Sequence, residues 1–499
     1  MDEVQPNKEL ILARRQLPNA MPIENLVVQI LAHIWQKGRE SSSHTGLEQT
    51  YFPFDTVPYL WQLVRPFTRK EPKKMPEPLS GNLLVAQSGG PTAVINSSIA
   101  GVISEAGRHE CIEEIYGGLN GVYGILREEL IDIGEENTRA IQRLKHTPAA
   151  ALGTCRYKIN FKEDIEQAQK DMKRLFEVIE AHNIRYFFYA GGNDSQDTTD
   201  KVHQEAAKRG YEIRAIGVPK TIDNDLPHTD HTPGYGSVVK YNATTVMEVG
   251  ADVRSMATEE GFCCIIEVMG RAAGWIAAGT VLAKRHEDDP PHIILLPEIP
   301  FNDTKFLVKV MDIVSKNGYC IIVVGEGLKD TDGNEIGADK TKLDSFGHPV
   351  LAGAAERLAE IVEPALNLKT RTVKLGYAQR AAAHYASETD VEEAFACGEA
   401  AVKAAVDGQS GFMVKLVRES DEPYKWTTGL QPLGDIANLE RTIPRDWITE
   451  DGWLPNEKFI TYAHPLIQGE LHLPSMNGLP VFARLNKVKI EKKLPPREA

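Results

Sequence analysis

Residues 219–225 read PKTIDND and directly follow the apolar run 213–218, which is typical of a buried strand. The turn brings together a lysine, Lys220, a threonine and two aspartates. One carboxylate can accept a proton from a hydroxyl group, another can hold a metal ion, and the lysine can neutralise a phosphate. A solvated acidic turn is the alternative, so the meaning of this stretch depends on what surrounds it.

The same order, an apolar strand followed by a glycine-rich or polar turn, recurs along the chain. Further apolar runs lie at 83–86, 186–190, 263–269, 292–296, 320–324 and 372–375. Segments with helical spacing separate them, which indicates β-α-β units and mainly parallel sheets. The sequence therefore predicts an α/β fold whose polar turns lie at the carboxyl ends of the strands, where open sheets of this kind bind ligands.

Two of these turns contain paired glycines. Residues 86–92 read AQSGGPT and residues 189–195 read YAGGNDS. Glycines in such a turn let backbone N–H groups approach an anion, and the following helix adds a favourable dipole. Asn193, Asp194 and Ser195 offer oxygen ligands suited to Mg²⁺ or its waters, although a structural turn with a simple helix cap is equally open for each motif alone.

Charged side chains also follow the later strands. They lie in MGR at 269–271, in GEG at 325–327, in KTR at 369–371 and in GYAQR at 376–380. An arginine can bind a phosphate through two hydrogen bonds, and a glutamate can accept hydrogen bonds from sugar hydroxyls. Each can also be an ordinary surface ion pair, so the argument depends on all of them lying at successive strand ends in one α/β body.

Taken in order, SGG, GGND, PKTIDND, MGR, GEG and GYxQR resemble the motifs of the phosphofructokinase family, over roughly residues 82–415. The resemblance implies two similar Rossmann-like, three-layer domains with mainly parallel sheets. These domains would face each other across an active-site cleft, with extensions at both ends of the chain. One domain would bind the phosphoryl donor and the other the sugar phosphate.

The resemblance also implies domain boundaries. The predicted donor domain is 80–237 with a return of the chain at about 384–419, the sugar-phosphate domain is 238–383, and the N- and C-terminal extensions are 1–79 and 420–499. Apolar residues at helical spacing predict one amphipathic helix at 23–36 in the first extension.

Individual roles follow from the resemblance, residue by residue. Asp223 would be the general base that takes the proton from the 1-hydroxyl of fructose 6-phosphate, with Lys220, Asp194 and Arg271 as further catalytic residues. Pyrophosphate would be bound by Gly89, Gly90, Gly192, Asp194, Ser195 and Lys220. The sugar phosphate would be bound by Thr221, Ile222, Asp223, Met269, Gly270, Arg271, Glu326, Arg371, Tyr377 and Arg380.

Three positions bear on the metal ion and on the neighbouring subunit. Mg²⁺ would be held by Asn193 and Asp194; Asn193 stands where many members have an aspartate, so the site would rely more on Asp194 or on waters. Arg371 matches an arginine that reaches the sugar 6-phosphate from a neighbouring subunit. Phe262 stands where bacterial ATP-using members carry a phosphate-binding arginine from the next subunit, a departure that bears on the contacts between subunits.

Two positions decide the phosphoryl donor. Members that use ATP resemble GGDGS and PGTIDND, with glycines where this chain has Asp194 and Lys220. A carboxylate at 194 fills the space that a nucleotide needs and repels a phosphate by about 1–4 kcal/mol at contact. Lys220 supplies a cation to the free end of pyrophosphate. Both residues match the pyrophosphate-dependent members, which implies reversible, Mg²⁺-dependent transfer from pyrophosphate to fructose 6-phosphate, giving fructose 1,6-bisphosphate and phosphate.

Three alternatives stay open on the sequence. The first is that the same fold uses ATP. The second is that the acceptor is sedoheptulose 7-phosphate, because the motifs bind a phosphate and a ketose but do not distinguish sugars by their number of carbons. A catalytically silent regulatory subunit is the third, and the intact Lys220, Asp223 and Arg271 argue against it.

Composition narrows the class of protein. The chain has 499 residues, more than one compact core holds, and its net charge of −14 argues against a general binder of nucleic acid or anionic membrane. The six cysteines form no C-x-x-C pair. No stretch approaches the ~20 apolar residues that span a bilayer, and the start, MDEVQP, does not resemble a signal peptide. We therefore expect a cytoplasmic enzyme of glycolysis or gluconeogenesis with small-molecule substrates, and the resemblance implies a homodimer.

Overall fold

The computed structural model describes residues 78–343, 349–351, 353–436 and 439–497. All of them belong to one compact unit, Met75–Ala499. The predicted helix at 23–36, and the predicted extension 1–79 apart from its last two residues, lie outside the described part of the chain.

Strands and helices alternate through most of this unit. The strands are β1 (Gly81–Gln87), β2 (Ile112–Gly118), β3 (Leu130–Asp132), β4 (Ile184–Gly191), β5 (Arg214–Pro219), β6 (Phe262–Val268), β7 (Ile293–Leu295), β8 (Tyr319–Gly325), β9 (Ala338–Leu343), β10 (Pro349–Leu351), β11 (Thr370–Lys374), β12 (Phe412–Asp421), β13 (Tyr424–Pro432), β14 (Ser475–Met476) and β15 (Leu479–Pro480). The described α-helices are α1 (Ile95–Ala106), α2 (Gly121–Ile125), α3 (Thr138–Leu144), α4 (Ile165–Ala181), α5 (Asn193–Arg209), α6 (Tyr235–Ser255), α7 (Trp275–Gly279), α8 (Asp303–Asn317), α9 (Ala354–Leu366), α10 (Ala378–Ala381), α11 (Glu388–Val406) and α12 (Glu457–Ala463).

The larger sheet has seven strands in the order β13-β12-β5-β4-β1-β2-β3. Its five inner strands run parallel, and both edge strands are antiparallel to their neighbours. Successive residues of a strand face opposite sides. Leu83 and Val85 therefore enter one core with α1 and α11, whereas Leu84 and Ala86 enter another with α4 and α5. The result is a three-layer arrangement.

The smaller sheet has the order β11-β6-β8-β7, and all its strands are parallel. Both faces of β6 are covered: Cys264 and Ile266 pack toward α6 and α7, and Cys263 and Ile265 pack toward α8 and α9. Burial on both faces explains why this strand reads as a continuous apolar run. Together the two sheets confirm the predicted α/β class with mainly parallel strands.

Residues beyond 419 contact both sheets. Strand β13 extends the larger sheet. The next residues bring Ile443, Ile448, Phe459, Tyr462 and Leu466 into the core beneath the smaller sheet, and Leu485, Ile490 and Leu494 pack on the larger one. The domain division drawn from the sequence stays a prediction. Strand β13 lies beyond residue 419, where the donor domain was predicted to end. In the part of the chain that the structure describes, no helix is both long and apolar enough to cross a membrane.

Candidate active site

The donor side comprises the three turns predicted to bind the phosphoryl donor, which follow β1, β4 and β5. These turns meet because the three strands are neighbours in one parallel sheet. Gly89 adopts φ 74°, a left-handed conformation that suits glycine, and its N–H donates to the carbonyl of Cys155 at 3.1 Å. The N–H of Lys220 donates to the carbonyl of Gly191 at 3.2 Å. Helix α5 starts after Gly192 without a side-chain cap, so no capping side chain takes the N–H groups of Asn193 and Asp194.

Lys220 is the buried cation of this side. Its side chain is only 2% exposed, and Nζ donates to the carbonyl of Gly90 at 2.7 Å. Burial lowers the pKa of Lys220 to about 8, and the carboxylates of Asp223 and Asp225 oppose that shift. Lys220 therefore holds an ammonium against the glycine turn with little water around it, where its attraction for an anion is strongest.

Asp194 forms an ion pair in the first turn of α5. Its Oδ1 lies 2.7 Å from Nζ of Lys158, and both side chains remain partly exposed. Burial acts to lower the pKa of Lys158, but the hydrogen bond and the charge of Asp194 outweigh it and raise the pKa. The carboxylate at position 194 is thus neutralised by a partner and fixed in place.

Arg380, a predicted sugar-phosphate residue, lies close to the glycine turn of the donor side. A Cβ built on Gly90 would lie 3.0 Å from Nη1 of Arg380, so glycine lets the guanidinium approach the turn closely. The positive charges of Arg380 and Arg156 both act to lower the pKa of Lys220. Three cations therefore converge on the space above the glycine turn.

The acidic turn holds two interacting carboxylates. Burial raises the pKa of Asp223, and the charges of Arg271 and Lys220 partly offset this effect. The pKa of Asp225 rises to about 7, first through burial and next through repulsion from Asp223. Asn224, which separates them, is fully buried and adopts φ 55°. Such an environment is suited to a carboxylate that must take up a proton near neutral pH.

Oxygen atoms suited to a metal ion lie between α5 and the acidic turn. Asn193 Nδ2 donates to Asp225 Oδ2 at 3.4 Å. The other oxygen of each side chain, Oδ1, is buried without a hydrogen-bond partner. In the described ranges no three Asp, Glu, His or Cys residues form a ready-made metal cage. The pair therefore fits Mg²⁺, which binds a few protein oxygens and otherwise keeps waters or takes phosphate oxygens.

The sugar-side turn, residues 269–271, follows β6 and was predicted to bind the sugar phosphate. Gly270 and Arg271 both have positive φ, 140° and 46°, and the N–H of Arg271 donates to Oε1 of Glu326 at 3.2 Å. Burial, and next the charge of Asp223, raise the pKa of Glu326 to about 7. The N–H of Met269 donates to Oε1 of Gln379 at 3.2 Å. This turn, β8 and α10 are thereby joined around the same space as Asp223.

A family model described as phosphofructokinase matches residues 82–405, and this match decides the family. The chain belongs to the phosphofructokinase family. It is 50% identical over 415 residues to the pyrophosphate–fructose 6-phosphate 1-phosphotransferase of Halomonas elongata, covering 83% of this chain and 98% of that protein. The protein of the same name from Methylococcus capsulatus is 45% identical over 414 residues, covering 83% and 98%.

A solved phosphofructokinase structure has the same architecture. The pyrophosphate-dependent phosphofructokinase of Marinobacter aquaeolei is 45% identical and superposes with a TM-score of 0.76, covering 84% of this chain and all of that one. The resemblance drawn from the motifs is thus confirmed.

Four residues that were predicted to belong to the site of this phosphofructokinase take no part in the hydrogen bonds described above. Arg371 is on the exposed edge strand β11, and its Nη1 donates to the carbonyl of Thr370 at 3.2 Å. Tyr377 is 71% exposed and stacks under Arg380. Ile222 packs in the core below the smaller sheet, and Ser195 is buried against the backbone of Gly191. Their assigned roles stay predictions.

The motif analysis missed four side chains that the structure brings to the site. Arg156 and Lys158 belong to the run TCRYK at 154–158, whose two basic residues after a glycine were the available signal. The motif at 219–225 was expected to offer one carboxylate to a metal ion, but that role was not assigned to Asp225 individually. Gln379 was part of GYAQR, yet its link to the sugar-side turn depends on a contact 110 residues away in sequence.

Proposed function

We propose that this phosphofructokinase transfers a phosphoryl group from pyrophosphate to the 1-hydroxyl of fructose 6-phosphate, reversibly, giving fructose 1,6-bisphosphate and phosphate. The observation that carries the proposal is the position of two charged residues on the donor side, Lys220 and Asp194. Lys220 Nζ lies at the Gly90 turn, and the Lys158–Asp194 ion pair occupies the start of α5. A nucleotide needs that space, whereas pyrophosphate needs the cation.

On the acceptor side, Asp223 accepts the proton of the 1-hydroxyl as the oxygen attacks phosphorus. Its raised pKa makes it a better base than an exposed aspartate, and the charge of the nearby Arg271 favours its ionised form. The pyrophosphate P–O bond breaks and phosphate leaves. Lys220, Arg156 and Arg380 stabilise the negative charge on the transferred group and on the leaving phosphate.

Mg²⁺ belongs to the same proposal. Asn193 and Asp225 would hold it through the two oxygens that lack a partner. When bound, the ion neutralises charge on the phosphate oxygens. Asp194 forms an ion pair with Lys158, and its predicted roles in donor selection and in holding the metal stay predictions.

A donor comparison tests the proposal. Purified full-length protein is assayed with fructose 6-phosphate and either pyrophosphate or ATP at matched concentrations, with sedoheptulose 7-phosphate as a second acceptor. We expect turnover with pyrophosphate to exceed that with ATP by at least about 10²-fold, since the carboxylate and the missing space both oppose the nucleotide. Faster turnover with ATP would refute the donor assignment, and a preference for the longer ketose would refute the acceptor.

The pH dependence of pyrophosphate use reports on Lys220. Because its pKa lies at about 8 in the free protein, the ammonium loses its proton as the pH rises through that value. We expect kcat/KM for pyrophosphate to fall with a midpoint near this pH. Lys220→Arg, which stays charged, should move that midpoint upward by more than one pH unit, on the order of the difference between the side-chain pKa values. An identical alkaline limb in both proteins would show that another group titrates.

The homodimer and the cytoplasmic location stay predictions. The exposed edge strand β11, with Arg371 and the half-exposed Met256 lining one groove, is the place where we propose to look for an interface between two copies.

A further inference from the structure

One arginine outside every predicted motif binds the backbone of the acidic turn. The N–H of Arg441 donates to the carbonyl of Asp225 at 2.8 Å. Its guanidinium donates to three more backbone carbonyls, those of Asn224 at 3.0 Å, Thr229 at 2.9 Å and Asp230 at 2.7 Å. A single side chain therefore holds both ends of residues 224–230.

Those residues need an external partner because they form neither helix nor strand. Asn224, between the two carboxylates, keeps φ 55° while fully buried, and His228 also has a positive φ, 63°. Buried carbonyls of an irregular loop must find donors elsewhere. A planar guanidinium with five N–H groups can supply several of them at once, which a lysine ammonium cannot do in the same geometry.

The same segment also holds the sugar-side turn. The carbonyl of Arg441 accepts a hydrogen bond from Trp275 Nε1 at 2.9 Å, and its guanidinium lies 4.6 Å above the Trp275 ring. Oε1 of the half-buried Glu298 accepts from Ile443 N at 3.1 Å and from Gly274 N at 2.9 Å. Gly274 and Trp275 lie three and four residues after Arg271. Residues 441–443 therefore connect the base on one side to the sugar-binding turn on the other.

We propose that Arg441 is a positioning residue for phosphoryl transfer. It sets the backbone of Asn224 and Asp225 relative to the turn at Arg271, so that Asp223 meets the acceptor hydroxyl in a productive geometry. The charges that bear on Asp223 come first from Arg271, Lys220 and Arg380, so Arg441 acts through geometry. This inference rests on the proposed reaction, and it gives the C-terminal region a part in the active site.

The first test is the conservative variant Arg441→Lys in the full-length protein. Misplacing a catalytic group by about 1 Å can cost about 10²-fold in rate, so we expect kcat to fall by about 10- to 100-fold while KM for both substrates changes by less than about threefold. Arg445→Lys is the matched control. Arg445 also donates to carbonyls of its own segment, those of Ile448, Thr449 and Glu450, but reaches neither turn. Its kcat should stay at the wild-type value.

The second test is chemical rescue of Arg441→Ala by guanidinium or methylguanidinium at concentrations that do not unfold the wild type. We expect kcat per folded molecule to rise with added guanidinium, without any rise in Arg445→Ala. Wild-type kcat in Arg441→Lys, or an Arg441→Lys loss that appears only in KM, overturns the inference, as does the absence of rescue in folded Arg441→Ala. If Arg441→Ala does not fold, the lysine variant alone decides. Failure of the wild type to use pyrophosphate would instead refute the proposed reaction.

Discussion

Replacing Asp223 by asparagine is expected to cut turnover with pyrophosphate by at least about 10²-fold, because a positioned general base typically contributes 10²–10⁴-fold. Asparagine keeps the shape of the side chain and can still accept the hydrogen bond that the Thr221 hydroxyl makes at 3.4 Å. It cannot accept the substrate proton. Binding of fructose 6-phosphate should persist, because removing the charge at 223 relieves a repulsion that raises the pKa of both Asp225 and Glu326.

Steady-state turnover and calorimetric binding of fructose 6-phosphate would be measured on the purified variant. Asp390→Asn is the matched control. Asp390 is also a buried carboxylate with a pKa raised to about 6, but it caps α6 by accepting from the N–H groups of Gly234 and Ser237. That variant should keep its turnover per folded molecule. Turnover of Asp223→Asn above about one hundredth of the wild-type rate, on the order of the weakest general-base effect, would remove Asp223 from its role.

The second large effect is expected at the two donor-side residues. Lys220→Met should lower pyrophosphate-driven turnover by about 10- to 100-fold, because a hydrogen bond from a charged donor is worth roughly 1.5–3 kcal/mol. The Asp194→Gly/Lys220→Gly double variant should lose at least as much with pyrophosphate and gain turnover with ATP. Loss of Asp194 leaves Lys158 without that carboxylate, so its ammonium becomes available to a nucleotide phosphate.

Rates with both donors would be compared across these variants, with Lys240→Met as the matched control. Lys240 is likewise a buried lysine, but its ammonium donates to the carbonyl of Gly469. Lys240→Met should therefore keep its preference for pyrophosphate even if it is less stable. A double variant with unchanged donor preference would show that residues 194 and 220 do not select the donor.

The sequence alone determined the class of fold and the chemistry of the turns. Apolar runs such as 186–190 and 263–269 predict buried parallel strands because burial on both faces removes the alternation of polar and apolar residues. Glycines and charged residues directly after those strands predict the ligand-binding edge, because parallel strands place their carboxyl ends together. Asp194 and Lys220 indicated the donor by residue type at a motif position. These features are local in the chain, so they can be read without knowing the tertiary structure.

Only the tertiary structure decided which side chains meet. Lys220 contacts Gly90 across 130 residues of sequence, and Arg441 contacts Asn224 across 217. Asp194 has a local motif suited to metal, but the approach of Lys158 engages its carboxylate and leaves Asn193 and Asp225 with the unpartnered oxygens. No spacing rule encodes such contacts, because they depend on where the helices and the C-terminal segment pack against the sheets. Burial raises the pKa of both Asp223 and Asp225, and the distant Arg271 opposes the shift at Asp223.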